Sequence, residues 1–92
     1  MRIRWTLTAT GDLTQISDYI ETHGSGSAAR GVALSIHEAI GLLAKFPMQG
    51  RAGRIANTRE LVLPGLPYLV VYRVSEDEVQ ILRLLHGAQE WP

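Results

Sequence analysis

The sequence predicts an α+β domain: one strand, a helical hairpin, then a three-stranded antiparallel meander, with the helices packed on one face of the sheet. Three observations carry that reading. Residues 2–7 alternate polar and apolar, residues 28–45 repeat apolar positions at steps of three and four, and three β-rich runs follow residue 58 with short turns between them.

In the first run, Ile3, Trp5 and Leu7 share one side of Arg2-Ile-Arg-Trp-Thr-Leu, the period of a half-buried strand. Thr8 or Thr10 then caps a helix, because a hydroxyl accepts from the unpaired amide hydrogens of a first turn. Leu13, Ile16, Tyr19 and Ile20 continue it at helical spacing to about Thr22. His23-Gly-Ser-Gly-Ser27 is a turn in which a serine starts the second helix. Between Ala28 and Lys45 the residues Ala29, Val32, Ile36, Ile40 and Leu43 form the strongest stripe in the chain. Leu34 and Leu42 fall off that stripe, so this helix has either a wide buried face or leucines for a second contact. Phe46-Pro47 closes it, since a residue before proline is driven out of the helical region. Residues 47–57 read as a loop. Arg59–Leu63, Tyr68–Val74 and Val79–Leu85 are the strands of the meander, joined by Pro64-Gly-Leu-Pro67 and Ser75-Glu-Asp77.

The last two strands are apolar on both sides: Leu69 and Val71 against Val70 and Tyr72, then Ile81 and Leu85 against Leu82 and Leu84. A sheet with one wet face alternates. The second face therefore lies under a loop, under the C-terminal tail, or under another chain.

Ninety-two residues make a single domain, 1–92, that buries roughly 65% of its extended surface on folding. Nine basic residues balance nine acidic ones, which argues against a general nucleic-acid-coating protein. With no cysteine there is no disulfide framework, thiolate metal site or cysteine nucleophile. His23, His37 and His86 lack metal-ligand spacing, so no metal and no cofactor is expected. No signal-peptide-like apolar run opens the chain, and the expected location is cytoplasmic, without membrane contact.

Local chemistry centres on arginine. Lys45, Arg51, Arg54 and Arg59 stand in a stretch without an acidic residue, a basic lobe suited to phosphate or carboxylate, or a merely solvated loop. Arg83 lies inside the last strand on the face assigned to Val79, Ile81 and Leu85, with Arg73 comparably placed next to it. Both await a phosphate, an acidic partner, or a cross-strand contact with Glu60, Glu76 or Glu78. His86 ends the last strand, and histidine is a residue type used for proton transfer, so it suits acid–base cleavage of a phosphodiester with Tyr72, Arg59 and Arg83. Trp91 either packs back on the core or anchors a partner.

The ordered set Asp12-Leu13, Asp18-Tyr19-Ile20, Ala29, Leu43 with Phe46-Pro47, Gly50-Arg51, Thr58-Arg59-Glu60-Leu61, Pro67-Tyr68, Val71-Tyr72-Arg73-Val74, Ile81 through Gln89 and Trp91-Pro92 resembles the RelE/ParE toxins of type II toxin-antitoxin systems. The resemblance implies a growth-inhibiting toxin in a hetero-oligomer with a ParD-like or RelB-like antitoxin, reaching operator DNA only through that antitoxin. The antitoxin would cover Leu34, Leu42, Leu69 and Val71. RelE-like members cut messenger RNA on the ribosome without metal, and ParE-like members poison DNA gyrase. Leu69 stands where the ribonucleases carry an arginine, and Gly87-Ala88-Gln89 where they carry a basic stretch. The Arg83, Leu85, His86 pattern resembles the ParE branch, which implies a gyrase poison whose toxicity candidates are Arg83, His86 and Trp91. The alternatives are a RelE-like ribonuclease using His86, Tyr72, Arg59 and Arg83, or a non-toxic binding module of the same fold.

Overall fold

The first strand, β1 (Arg2–Trp5), stops earlier than its alternation suggests, because Thr6 turns the chain into α1 (Leu7–His23). The Thr6 hydroxyl accepts from the Ala9 amide at 3.1 Å, so Thr6 is the cap in place of Thr8 or Thr10. Leu7 thereby leaves the strand for the first turn of a helix, where it is exposed. This computed structural model describes residues 1–87, 89 and 91; Ala88, Glu90 and Pro92, and with them part of the Gly87-Ala88-Gln89 stretch and of the tail, lie outside the described residues.

The second helix, α2 (Gly26–Leu42), begins two residues before the predicted start, since the Ser25 hydroxyl accepts from the Ala28 amide at 3.0 Å. It ends at Leu42, and the segment to Lys45 continues as turns. The predicted loop contains a two-residue strand, β2 (Arg51–Ala52), followed by β3 (Arg59–Val62), β4 (Tyr68–Val74) and β5 (Glu78–His86). Together they form one five-stranded mixed sheet in the order β1-β5-β4-β3-β2. The antiparallel meander is as expected, and β1 joins it in parallel beside β5, with Ile3 opposite Val79 and Trp5 opposite Ile81.

Both helices pack on one face. Ala9 of α1 and Ile36, Ile40 and Leu43 around α2 bury themselves against Leu61, Val70, Tyr72, Val79, Ile81 and Leu84. Each fully buried aliphatic side chain contributes about 1.5–3 kcal/mol, so this layer dominates the stability of the fold.

A bulge reshapes the end of β5. Val71 pairs with Arg83 but Tyr72 pairs with Ile81, which leaves Leu82 as the extra residue. Residues paired across a sheet share a face, so Arg83 and Leu85 lie with Val71 and Leu69, opposite Val79 and Ile81. Strict alternation had put Arg83 on the face of Val79 and Ile81. The second face is sealed at its centre, with Val71 and Leu85 fully buried. Trp91 sits on this face: its ring stands 6.0 Å from the Arg83 guanidinium carbon, and its carbonyl accepts from Arg54 Nη1 at 2.8 Å.

Candidate functional site

Beyond Trp5 the chain leaves the sheet, and the outer edge of β5 is met by side chains instead of a strand. The Thr6 hydroxyl donates to the Ile81 carbonyl at 2.9 Å, and Gln89 Oε1 accepts from the His86 amide at 3.1 Å. Between them, Asp12 makes three contacts. Its Oδ2 accepts from Arg83 Nε at 2.8 Å and from the Leu84 amide at 3.0 Å, and its Oδ1 accepts from Arg83 Nη2 at 3.2 Å. The bidentate fork is the strong form of ion pair, and here it is mostly shielded from water. The Asp12 hydrogen bond holds the Arg83 pKa above its ordinary value, against an opposing effect of burial.

The pair forms one wall of a cleft of about 410 Å³ between α1 and the ends of β4 and β5. Asp12, Gln15, Ile16 and Tyr19, spaced by three and four, line it from the helix. Tyr68, Arg83, Leu84 and His86 line it from the sheet, with Pro67 and Gln89 at its rim. Tyr68 meets His86 edge to face at 6.1 Å, and Tyr19 stacks on His23 at 4.1 Å. Among the described residues lining the cleft, Asp12 is the only carboxylate and Arg83 the only guanidinium, and they pair with each other. Arg83 and His86 thus come together as the sequence suggests, at the place where β5 ends.

Tyr72 and Arg59 belong elsewhere. The Tyr72 hydroxyl accepts from the Gly50 amide at 2.8 Å and donates to the Pro47 carbonyl at 2.7 Å, while Arg59 Nη1 donates to the Gly50 carbonyl at 2.7 Å. Burial pushes the Tyr72 pKa up, opposed by the Gly50 hydrogen bond and by Arg59. Gly50 is required here, since a Cβ would stand 2.7 Å from the Tyr72 hydroxyl oxygen. Tyr72 lies four residues along β4 from Tyr68, the partner of His86, a separation of about 13 Å along the strand. The four residues of the ribonuclease arrangement therefore fall into two separate groups.

The basic lobe is largely exposed, with its arginines tied in part to the chain's own acceptors. Glu60, 3% exposed, accepts from Arg51 Nη2 at 3.2 Å and from the Arg54 amide at 3.1 Å. Arg54 and Arg59 spend guanidinium donors on the carbonyls of Trp91 and Gly50. Glu60, anticipated only as a partner for Arg73 or Arg83, instead organises this lobe. Glu78 pairs with Arg4 and Arg2, and Arg73 is exposed opposite Gln80.

On α2, Leu34 and Leu42 are both at least half exposed, whereas Leu69 is half-buried and Val71 presents no surface in the isolated chain. Asp12 and Gln89 entered the sequence reading only through the family resemblance and Gln15 not at all, so none of the three was assigned a role at the site. The only signal for Asp12 is a carboxylate on the apolar side of an otherwise Thr-rich first helix, and its partner is 71 residues away. His37 lies against Trp5, and among the described residues no cluster of His, Asp and Glu could hold a metal ion. No helix among them is long and apolar enough to cross a membrane.

The chain matches known proteins along nearly its whole length. The family described as the ParE toxin of type II toxin-antitoxin systems, parDE, matches residues 3–91. The protein Y4kP of Sinorhizobium fredii is 50% identical over 91 residues, covering 99% of this chain and 93% of that one. Toxin RelE2 of Caulobacter vibrioides is 40% identical over 88 residues, covering 96% of this chain and 97% of that one. A chain from the chromosomal ParDE toxin-antitoxin system of P. aeruginosa superposes with a TM-score of 0.88 at 30% identity, covering 94% of this chain and 95% of that one. The chain belongs to the ParE family of type II toxins, whose members act with an antitoxin partner.

Proposed function

We propose that this toxin arrests growth in the cytoplasm by poisoning DNA gyrase, and that a cognate ParD-like or RelB-like antitoxin neutralises it and carries it to operator DNA. The observation that supports this reading over nucleolytic activity is the use made of Tyr72 and Arg59. The Tyr72 hydroxyl is engaged by the Gly50 amide and the Pro47 carbonyl and Arg59 Nη1 by the Gly50 carbonyl, about 13 Å along the sheet from the His86 end, too far for these two to share one phosphodiester with His86. Arg83, His86 and Trp91 are the toxicity residues in this reading. Leu34, Leu42 and Leu69 receive an apolar segment of the antitoxin. The test is purified toxin with gyrase, ATP and relaxed plasmid. Inhibited supercoiling with trapped cleaved DNA, reversed by antitoxin, supports the reading, and its absence from protein that is folded and toxic in cells overturns it. The similarity to RelE2 favours one alternative, cleavage of messenger RNA on the ribosome. The same preparation on translating ribosomes tests it, with His86→Ala as the first variant.

A further inference from the structure

We infer that the cleft between α1 and the end of β5 is where the toxin grips its target, that the occupant is a protein segment, and that Asp12 is the positioning residue presenting Arg83 to it. This rests on the reading of the chain as a toxin that acts on a protein. The Asp12 carboxylate takes two guanidinium donors and the neighbouring Leu84 amide, so it fixes both the arginine and the strand that carries it. The Arg83 side chain keeps 29% of its surface exposed, and its Nη1 is not used by Asp12.

The lining selects the occupant. A nucleic-acid backbone needs several cations in a row, and here the one arginine is already ion-paired. Tyr19, Tyr68 and Arg83 are instead the residue types that dominate protein interfaces, and Gln15 and Gln89 supply a polar rim around them. About 410 Å³ accepts one large apolar or aromatic side chain, together with a carboxylate or carbonyl oxygen for the outer guanidinium donors.

The experiment compares the parent with D12R, R83D, the exchange D12R/R83D, and Q15W, which fills the cleft from an exposed helix position and leaves both charged residues in place. Viable counts after induction without antitoxin are read beside melting temperature and antitoxin affinity. We expect the exchange to recover part of the melting temperature lost by either single variant, since an arginine at position 12 restores the ion pair but cannot accept from the Leu84 amide, while growth inhibition stays reduced by about tenfold or more because the reversed pair offers the target a carboxylate. Q15W should melt within about 2 °C of the parent and lose toxicity to a similar extent. Recovery of toxicity together with stability in the exchange would make the pair a strut alone and overturn the inference. So would a Q15W chain as toxic as the parent, or variants that lose antitoxin affinity and stay toxic. If the exchange does not fold, Q15W decides. Growth inhibition does not presuppose gyrase, so a parent chain that leaves supercoiling untouched removes the gyrase reading and leaves the cleft to be judged on these variants.

Discussion

Replacing Tyr72 with phenylalanine removes one oxygen and leaves the ring in the core. That oxygen satisfies the Gly50 amide and the Pro47 carbonyl at once, in a place where Tyr72 has no exposed surface. The buried Gly50 amide costs about 1–3 kcal/mol without its partner and the part-buried Pro47 carbonyl about 1 kcal/mol, about 2–4 kcal/mol together. A chain of 92 residues has an unfolding entropy of about 0.19 kcal/mol/K, so the expected fall in melting temperature is about 10–20 °C. Thermal unfolding followed by circular dichroism measures it directly, with toxin released from its antitoxin. Growth inhibition per folded molecule should be retained, because the hydroxyl serves the Pro47–Gly50 segment and not a substrate. A variant that melts within about 3 °C of the parent and has lost its toxicity would refute this reasoning and return Tyr72 to the chemistry.

Two further outcomes are expected. The Glu78 carboxyl is held below its ordinary value of 4.5, first by the Gln80 hydrogen bond and then by that from Arg4. A depressed folded-state pKa stabilises above the unfolded value and is lost as pH falls through the folded one, so the melting-temperature gap between parent and E78Q should be full at neutral pH and close below about pH 4.5. A gap that persists unchanged to pH 3 would contradict it. The double variant L34E/L42E, at exposed positions of α2, should melt within about 3 °C of the parent and bind antitoxin at least about tenfold more weakly in calorimetry. Unchanged affinity would move the antitoxin contact away from this helix.

The elements that announce themselves in the sequence are those whose side chains carry a period. The Ile36, Ile40, Leu43 stripe and the three long strands were legible because burial on one face demands it. β2 was not, since Arg51 and Ala52 are too few to show a period, and its strand character comes from pairing with Glu60 and Arg59. The end of β1 was misread because Leu7 continues the alternation while Thr6 overrides it by capping α1. The face of Arg83 was misread for a comparable reason: one bulged residue, Leu82, inverts everything after it. At the site, His86 and Arg83 were visible as polar residues in an apolar strand. Asp12 and Glu60 were not, because an ion pair between distant segments leaves no spacing to read.

The parallel pairing of β1 with β5 has a consequence for synthesis. Arg2–Trp5 meets its partner only when Glu78–Ile81 exists, so β1 waits for β5 to be made. At about 5–20 residues per second that wait is several seconds. The same delay applies to the Asp12–Arg83 clasp, which joins the first helix to the final strand. A chain interrupted before residue 78 has neither the fifth strand nor the cleft, so truncated products of this gene lack the surface assigned to the target. The nascent chain can complete the sheet and the clasp only after residue 83 has been made, and an antitoxin already present can meet it as it closes.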